Sequence, residues 1–292
     1  MAADALPNRR VEGWRWSDLS AALAGQYPPL AGGERHVIAQ LAEAAENLDQ
    51  HLVREGVGHI LVHTVGEKVQ DARALEFDVE AGGSVTLVTL QRGGDVALAH
   101  RKVRLGEGAT FRQFIVADGA RYARIETEIE TVGPDAKVEL NSVYMTAKGR
   151  HADLTSLVKL GAPGAEIRQL VRGVARKGGR GVFQGKFLVE RAAQKTDAEM
   201  QHNALLLEEG AEVFAKPELE IYADDVQCAH GNTAGQLNED AIFYLRQRGI
   251  PDAVARAMIT RAFLIEALPE WLDEPLRVDV EARIDQWLEG AA

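Results

Sequence analysis

The chain has 292 residues, 46 % of them hydrophobic and 26 % charged, a globular composition that excludes disordered and fibrous classes. Its formal charge of −11 excludes a duplex nucleic-acid binder, because phosphate contacts need a basic surface. One cysteine, Cys228, excludes an internal disulfide framework and a cysteine-only metal site within one chain. No window approaches the run of about 20 apolar residues that spans a bilayer. Met1 to Arg10 lacks the apolar stretch of a secretory signal, so a cytoplasmic protein is expected.

Residues 1–56 read as a short helical region. Ser17 is the expected N-cap of a segment running from Asp18 to Leu23 and stopped by Gly25. Tyr27-Pro28-Pro29-Leu30-Ala31-Gly32-Gly33 reads as a loop. Val37, Ile38, Leu41, Ala45 and Leu48 then recur at helical spacing through Gln50.

Residues 57–236 read as the β core. Val85–Leu90, Val96–His100 and Ile125–Glu130 have strand-like texture. A turn with Ala or Ser before an apolar strand recurs at 84, 109, 136, 165 and 211, in steps of 25, 27, 29 and 46. The last step reads as two coils with one turn disguised. A near-regular turn predicts a mainly β fold with a β-solenoid core, although a sandwich with similar hairpins would share part of the pattern.

Residues 237–292 read as a helical domain. Asn238 is the expected N-cap, with Glu239 and Asp240 in the first turn and Leu237 stapled onto Ile242. Gly249 ends that helix and Pro251 opens the next, whose stripe is Val254, Met258, Ala262 and Ile265. A third segment carries Leu276, Val280, Ile284 and Leu288. These helices are expected to cover the open end of the stack.

Cys228 and His230 lie two apart, so on a strand they share a face. A thiolate and an imidazole there make half of a soft-metal site that a second chain could complete. The plain alternative is a small buried hydrophobe beside a hydrogen-bonded strand histidine. Asp224 and Asp225 face opposite ways if extended, which suits turn capping better than acid–base work. Gly173 to Gly181, with Arg172, Arg176, Lys177 and Arg180, lacks the Gly-Lys-Ser/Thr of a phosphate loop and reads as a basic turn. His51, His59, His63, His100, His151 and His202 show no paired ligand spacing. The residues alone name no enzyme, and an interaction protein ranks ahead of a hydrolase.

Three long stretches carry a resemblance: Gln184–Ala198 with Gln201 and Asn203–Leu207, Lys216–Val226 with Cys228-Ala229-His230-Gly231, and Gly235–Asp240 with Phe243–Arg246 to Ile250. Together with Trp14-Arg15-Trp16-Ser17-Asp18-Leu19, they resemble the SufB/SufD family, and the Cys-x-His-Gly form looks like its SufD branch. The resemblance implies a right-handed parallel β-helix with helical ends, acting as a non-catalytic scaffold for iron–sulfur cluster assembly. It implies pairing with SufB, sulfur from a SufS/SufE desulfurase, and a transient cluster at the SufB–SufD junction, with no cofactor held tightly in isolation. His230 matches the junction histidine and Cys228 is its neighbour, both candidate iron or cluster ligands. Residues of about 237–268, with Phe243, Tyr244, Leu245, Arg246 and Arg248, would dock the SufC ATPase, whose nucleotide-driven dimerisation could open the junction. The chain is shorter than the usual family length, so few coils and a reduced N-terminal helical domain are expected. Two other readings are a homodimeric SufB-like scaffold and a β-helix polysaccharide lyase or hydrolase built on Asp224 and Asp225.

Overall fold

The computed structural model describes residues 6–24, 26–28, 30 and 35–290. It opens with helices α1 (Leu19–Leu23) and α2 (Val37–Ala44), followed by fourteen strands, β1 (Leu48–Val53) to β14 (Gln227–Gly235). The odd-numbered strands after β1 are β3 (Gln70–Val79), β5 (Val96–Leu105), β7 (Tyr122–Thr131), β9 (His151–Leu160), β11 (Arg180–Val189) and β13 (Glu212–Ile221). The even-numbered strands before β14 are β2 (Gly58–Val65), β4 (Ser84–Gln91), β6 (Thr110–Ala117), β8 (Lys137–Thr146), β10 (Glu166–Ala175) and β12 (Asp197–Leu206). Odd strands form one parallel seven-stranded sheet and even strands the other, each strand pairing with the equivalent strand of the next coil. This is the expected β-solenoid. Its interior is a continuous apolar column in which Val85, Phe111, Val138, Ile167 and Ala198 stack in one row of the even sheet.

One corner shows why the repeat is legible. Gly56, Gly82, Gly108, Asp135, Gly164 and Lys195 each stand two residues before an even strand, and each has positive φ. Their N–H groups donate along the stack to Ala81, Glu107, Pro134, Pro163, Gln194 and Asp225 carbonyls, at 2.6–3.1 Å. Glycine adopts this left-handed turn without cost, whereas Asp135 and Lys195 adopt it against a penalty of about 1–2 kcal/mol. The turn after Ala165 is therefore at Lys195-Thr196, hidden because neither Gly nor Ala occupies it. Gly210-Ala211, which the sequence pattern placed in this series, belongs to the opposite corner, ahead of β13 with Gly178 ahead of β11.

The flanks depart further from expectation. The second helix ends at Ala44, and Leu48 to Gln50 already belong to β1. The Gly25 stop, and most of the loop from 29 to 33, lie outside the described residues. Asp18, not Ser17, caps α1, accepting from the Ala21 N–H at 2.9 Å. Ser17 is buried instead, donating to the Asp153 carboxylate and lying 3.0 Å from His151 Nε2. Arg124, also buried, bonds Asp153 at 2.7 Å and lies 3.8 Å from the Trp14 ring centroid. The Trp14–Leu19 motif is thus an anchor that holds the N-terminal segment on the outer face of the odd sheet, where Leu19, Ile38 and Leu41 meet Val96 and Leu98.

The C-terminal helices are α3 (Glu239–Gln247), α4 (Asp252–Ile265) and α5 (Glu274–Glu289). Asn238 caps α3, and Leu237 packs with Ile242 as expected. The helices do not cover the end of the stack. Leu264, Val280 and Ile284 pack on Val88, Phe114, Val143 and Val174, the outer flank of the even sheet. Those strand residues form an apolar outer face, which is a larger surface to bury than one edge. Among the described residues, no helix is long and apolar enough to cross a membrane.

The corner geometry sets opposite outcomes for two substitutions. A side chain at Gly164 would be strained at φ +75° and would run into the Asp135 carboxylate, so Gly164→Val should lower stability by about 2 kcal/mol or more. Lys195→Gly should stay within about 1 kcal/mol of the parent, on the stabilising side, because it relieves a left-handed lysine. Urea unfolding of both variants checks the ordering.

Candidate functional site at the terminal coil

The last coil leaves two edge strands. β13 pairs with β11 alone and β14 with β12 alone. Unpaired edges invite association, and charge or proline commonly blunts them. β13 is blunted in this way. It contains Pro217, which has no N–H to give, and Lys216, which lies 3.1 Å from Glu218 and 2.7 Å from Glu12. β14 reads Gln-Cys-Ala-His-Gly-Asn-Thr-Ala-Gly, with no proline, lysine, arginine or carboxylate, and all of it except Cys228 is exposed. It is an open edge without the usual guards.

Register fixes which way its side chains point. Cys228 pairs with Ala198 and His230 with Met200, both fully buried in the column, so the two candidate ligands take the inward-facing positions at its mouth. Cys228 is half-buried against that core. Burial, with the charge of Asp197 beside it, pushes the thiol pKa up, which keeps Cys228 a thiol at neutral pH. His230 is exposed. The structure therefore brings the pair to one face, as the spacing predicts. Among the described residues no third His, Cys, Asp or Glu of this chain joins them.

Two positions further along the same face, Asn232 lies over His202, which the sequence pattern had left among scattered histidines. His202 is fully buried. Its Nδ1–H donates to Asn232 Oδ1 at 2.7 Å, and its Nε2 accepts from Tyr144 Oη at 3.0 Å. Phe183 stacks on its ring, 4.9 Å between centroids. Burial lowers the His202 pKa to about 4, so the ring is neutral and the tautomer fixed. Tyr144 owes its place to Gly173 and Gly181, where any Cβ would overlap its ring. The glycine-rich Gly173–Gly181 stretch thus makes room for a buried tyrosine, with a tight turn at Gly178-Gly179 between the two. A coil step of about 30 residues, applied back from Asn232, is the signal that would have singled out His202.

Asp224 and Asp225 lie in the exposed turn before β14, where Asp225 pairs with Lys195 and its N–H donates to Gln194 Oε1 at 2.9 Å. Asp225 thus ties the turn to the preceding coil through its backbone and an ion pair, and not by the side-chain capping expected from the sequence. On α3, Phe243 and Tyr244 are exposed, with Arg248 stacked over the Tyr244 ring at 4.6 Å. Leu245 packs inward beside Leu237 and Ile242, and Arg246 lies 3.5 Å from Asp252. The α4 stripe runs the other way from expectation. Val254, Met258 and Ala262 are exposed and Ile265 alone of that stripe packs on the core, whereas Ala255, Thr260 and Leu264 are buried. That helix carries two apolar stripes, and periodicity alone does not say which one the core takes.

Fold and edge together define a β-solenoid with an unguarded terminal strand. Residues 40–263 match the family model for the SUF system FeS cluster assembly SufBD core domain, and the chain belongs to that family. It is 39 % identical over 194 residues to the iron–sulfur cluster assembly protein SufD of Escherichia coli K12, covering 66 % of this chain and 46 % of that protein. It is 30 % identical over 237 residues to a SufBD family protein of Synechocystis (79 % and 52 % of the two lengths). Protein ABCI7, chloroplastic, of Arabidopsis thaliana is 34 % identical over 207 residues, covering 70 % of this chain and 43 % of the plant protein. The chain spans about half the length of these curated relatives.

The buried histidines set a pH dependence. His202 and His151 titrate at about 4 and His63 at about 3 in the folded protein, each driven down chiefly by burial from an ordinary value near 6.5. Between these limits only the unfolded chain takes up the proton. Stability should therefore be flat above about pH 6.5 and fall on acidification towards pH 4, by up to about 1.4 kcal/mol per unit for each histidine. Denaturant midpoints across pH 4–8 test this, and His202→Asn should make the fall shallower.

Proposed function

We propose that this chain is a non-catalytic scaffold of iron–sulfur cluster assembly, of the SufD type, working in a cytoplasmic complex. In this reading β14 adds edge to edge onto a SufB partner, and the nascent cluster forms where Cys228 and His230 meet that partner. The observation that carries it is the unguarded β14 edge, bearing a thiol and an imidazole on its inward face. A strand edge supplies affinity through main-chain hydrogen bonds, and the side chains of one face supply specificity. The imidazole of His230 would bind iron or donate to a cluster sulfide, which here is cargo and not a resident group. Cys228 would act only after proton loss, which burial opposes.

The exposed Phe243 and Tyr244, with the outward stripe Val254, Met258 and Ala262, support docking of the SufC ATPase on α3 and α4. Exposed aromatic side chains beside arginines are what interfaces concentrate their energy in. Co-expression with SufB and SufC, followed by affinity capture of this chain, tests both contacts. Phe243→Ala with Tyr244→Ala should weaken ATPase retention at least about tenfold while SufB stays bound. His230→Ala should leave both partners bound and lower the cluster recovered per complex. Loss of neither partner nor cluster in these variants would contradict the assignment.

A further inference from the structure

Away from the terminal coil, a second group of ligating side chains sits on the outer face of the odd sheet, beneath the N-terminus of α2. His100 of β5 is 2 % exposed, yet its Nδ1 has no partner among the described residues, and its Nε2 has only the Glu128 carboxylate, 3.4 Å away. His36, the N-cap of α2, stacks face to face on the His100 ring, centroids 4.3 Å apart. One ligating atom from each of His36, His100 and Glu128 lies within 4.8 Å of the other two. A cavity of about 370 Å³ opens onto them, lined also by Arg35, Glu76 and Lys102.

We propose that His36, His100 and Glu128 hold one first-row transition dication, with the cavity supplying its remaining positions. Two imidazoles and a carboxylate are the donor set that zinc and iron(II) accept, and hard magnesium or calcium would take oxygen ligands instead. Ligands at roughly 2.0–2.1 Å from a tetrahedral ion stand about 3.4 Å apart, which is the spacing His100 Nε2 and Glu128 Oε1 already have. The His100 nitrogen that faces the carboxylate, Nε2, is the one that coordination would use, with the ring proton then carried on Nδ1.

His36 completes the set by a change of contact. Its Nδ1 now accepts from the Ile38 N–H at 3.3 Å, and its Nε2 lies 3.2 Å from Glu126 Oε1. Ligation through Nε2 moves the ring proton to Nδ1, gives up that weak cap, and tilts the His36 ring out of its stack on His100, because the in-plane lone pairs of two parallel rings do not converge on one ion. Glu126 is left with Arg124, its partner at 2.8 Å. Arg35 is already engaged by Glu43 at 2.8 Å, which leaves Lys102 as the cation facing the bound ion. The site joins the helix to the sheet, so metal should also stabilise the N-terminal segment. It shares no residue with the β14 edge and does not rest on the scaffold reading.

Titration of the metal-stripped full chain with Co²⁺, followed by its d–d absorption, tests this. One ion should bind per chain, be displaced by an equivalent of Zn²⁺ and resist excess Mg²⁺, and the melting temperature should rise with occupancy. Glu128→Gln and His36→Ala, both at partly exposed positions, should each weaken binding at least about tenfold with the fold retained by circular dichroism. They carry the test if buried His100→Ala does not fold. The double variant Cys228→Ser/His230→Ala should bind Co²⁺ as the parent does. Absence of stoichiometric binding, binding indifferent to Glu128→Gln and His36→Ala, or binding lost with Cys228 and His230 would each overturn the proposal.

Discussion

A parallel β-solenoid satisfies its backbone along one axis only. Each coil donates to and accepts from its neighbours, so the ladder from Gly56 to Asp225 at one corner is continuous, and the strands stack in exact register. The last coil has no successor. Its unpaired row of N–H and C=O groups is a consequence of the fold, and each edge must be guarded or used. Pro217 and the charges around it guard β13. Nothing comparable guards β14, so the two strands of the last coil differ in how open their edges are, and the proposed scaffold role rests on that difference.

The flanks reinforce the asymmetry. Helices α4 and α5 and the N-terminal segment lie along the two sheets, on apolar outer faces built from Phe114, Val143 and Val174 on one side and Val96 and Leu98 on the other. They thicken the solenoid without closing its terminal edge. The interior meanwhile contains polar groups where a purely apolar column would serve stability better. The hydrogen-bonded chain Tyr144–His202–Asn232 reaches from the core to the edge strand itself and fixes the orientation of a β14 side chain two positions from His230. Burial keeps the central imidazole neutral, so the chain is a rigid support at neutral pH.

Much of this was legible in the sequence, and the failures have physical causes. The turn repeat revealed the coils because glycine marks left-handed corners, and it misled at Ala211 because both corners use the same Gly-Ala chemistry. Lys195 concealed a corner by taking a conformation its side chain disfavours. Ser17 looked like a helix cap because a short hydroxyl suits that role, yet Arg124, Asp153 and His151 lie 107 to 136 positions further along the chain, where no local pattern reaches. The inward pairing of Cys228 and His230 followed from strand alternation alone. The pairing of His36 with His100, 64 positions apart, required the helix to be laid on the sheet.

The claim that β14 is the working edge is tested most directly by amide hydrogen exchange on the chain alone and in complex with SufB. The account predicts fast exchange in the isolated chain at the alternate amides of 227–235 that point away from β12, and strong protection of those amides on binding, with 58–65 at the opposite end unchanged. Protection confined to the opposite end, or outward β14 amides already protected in the isolated monomer, would contradict it.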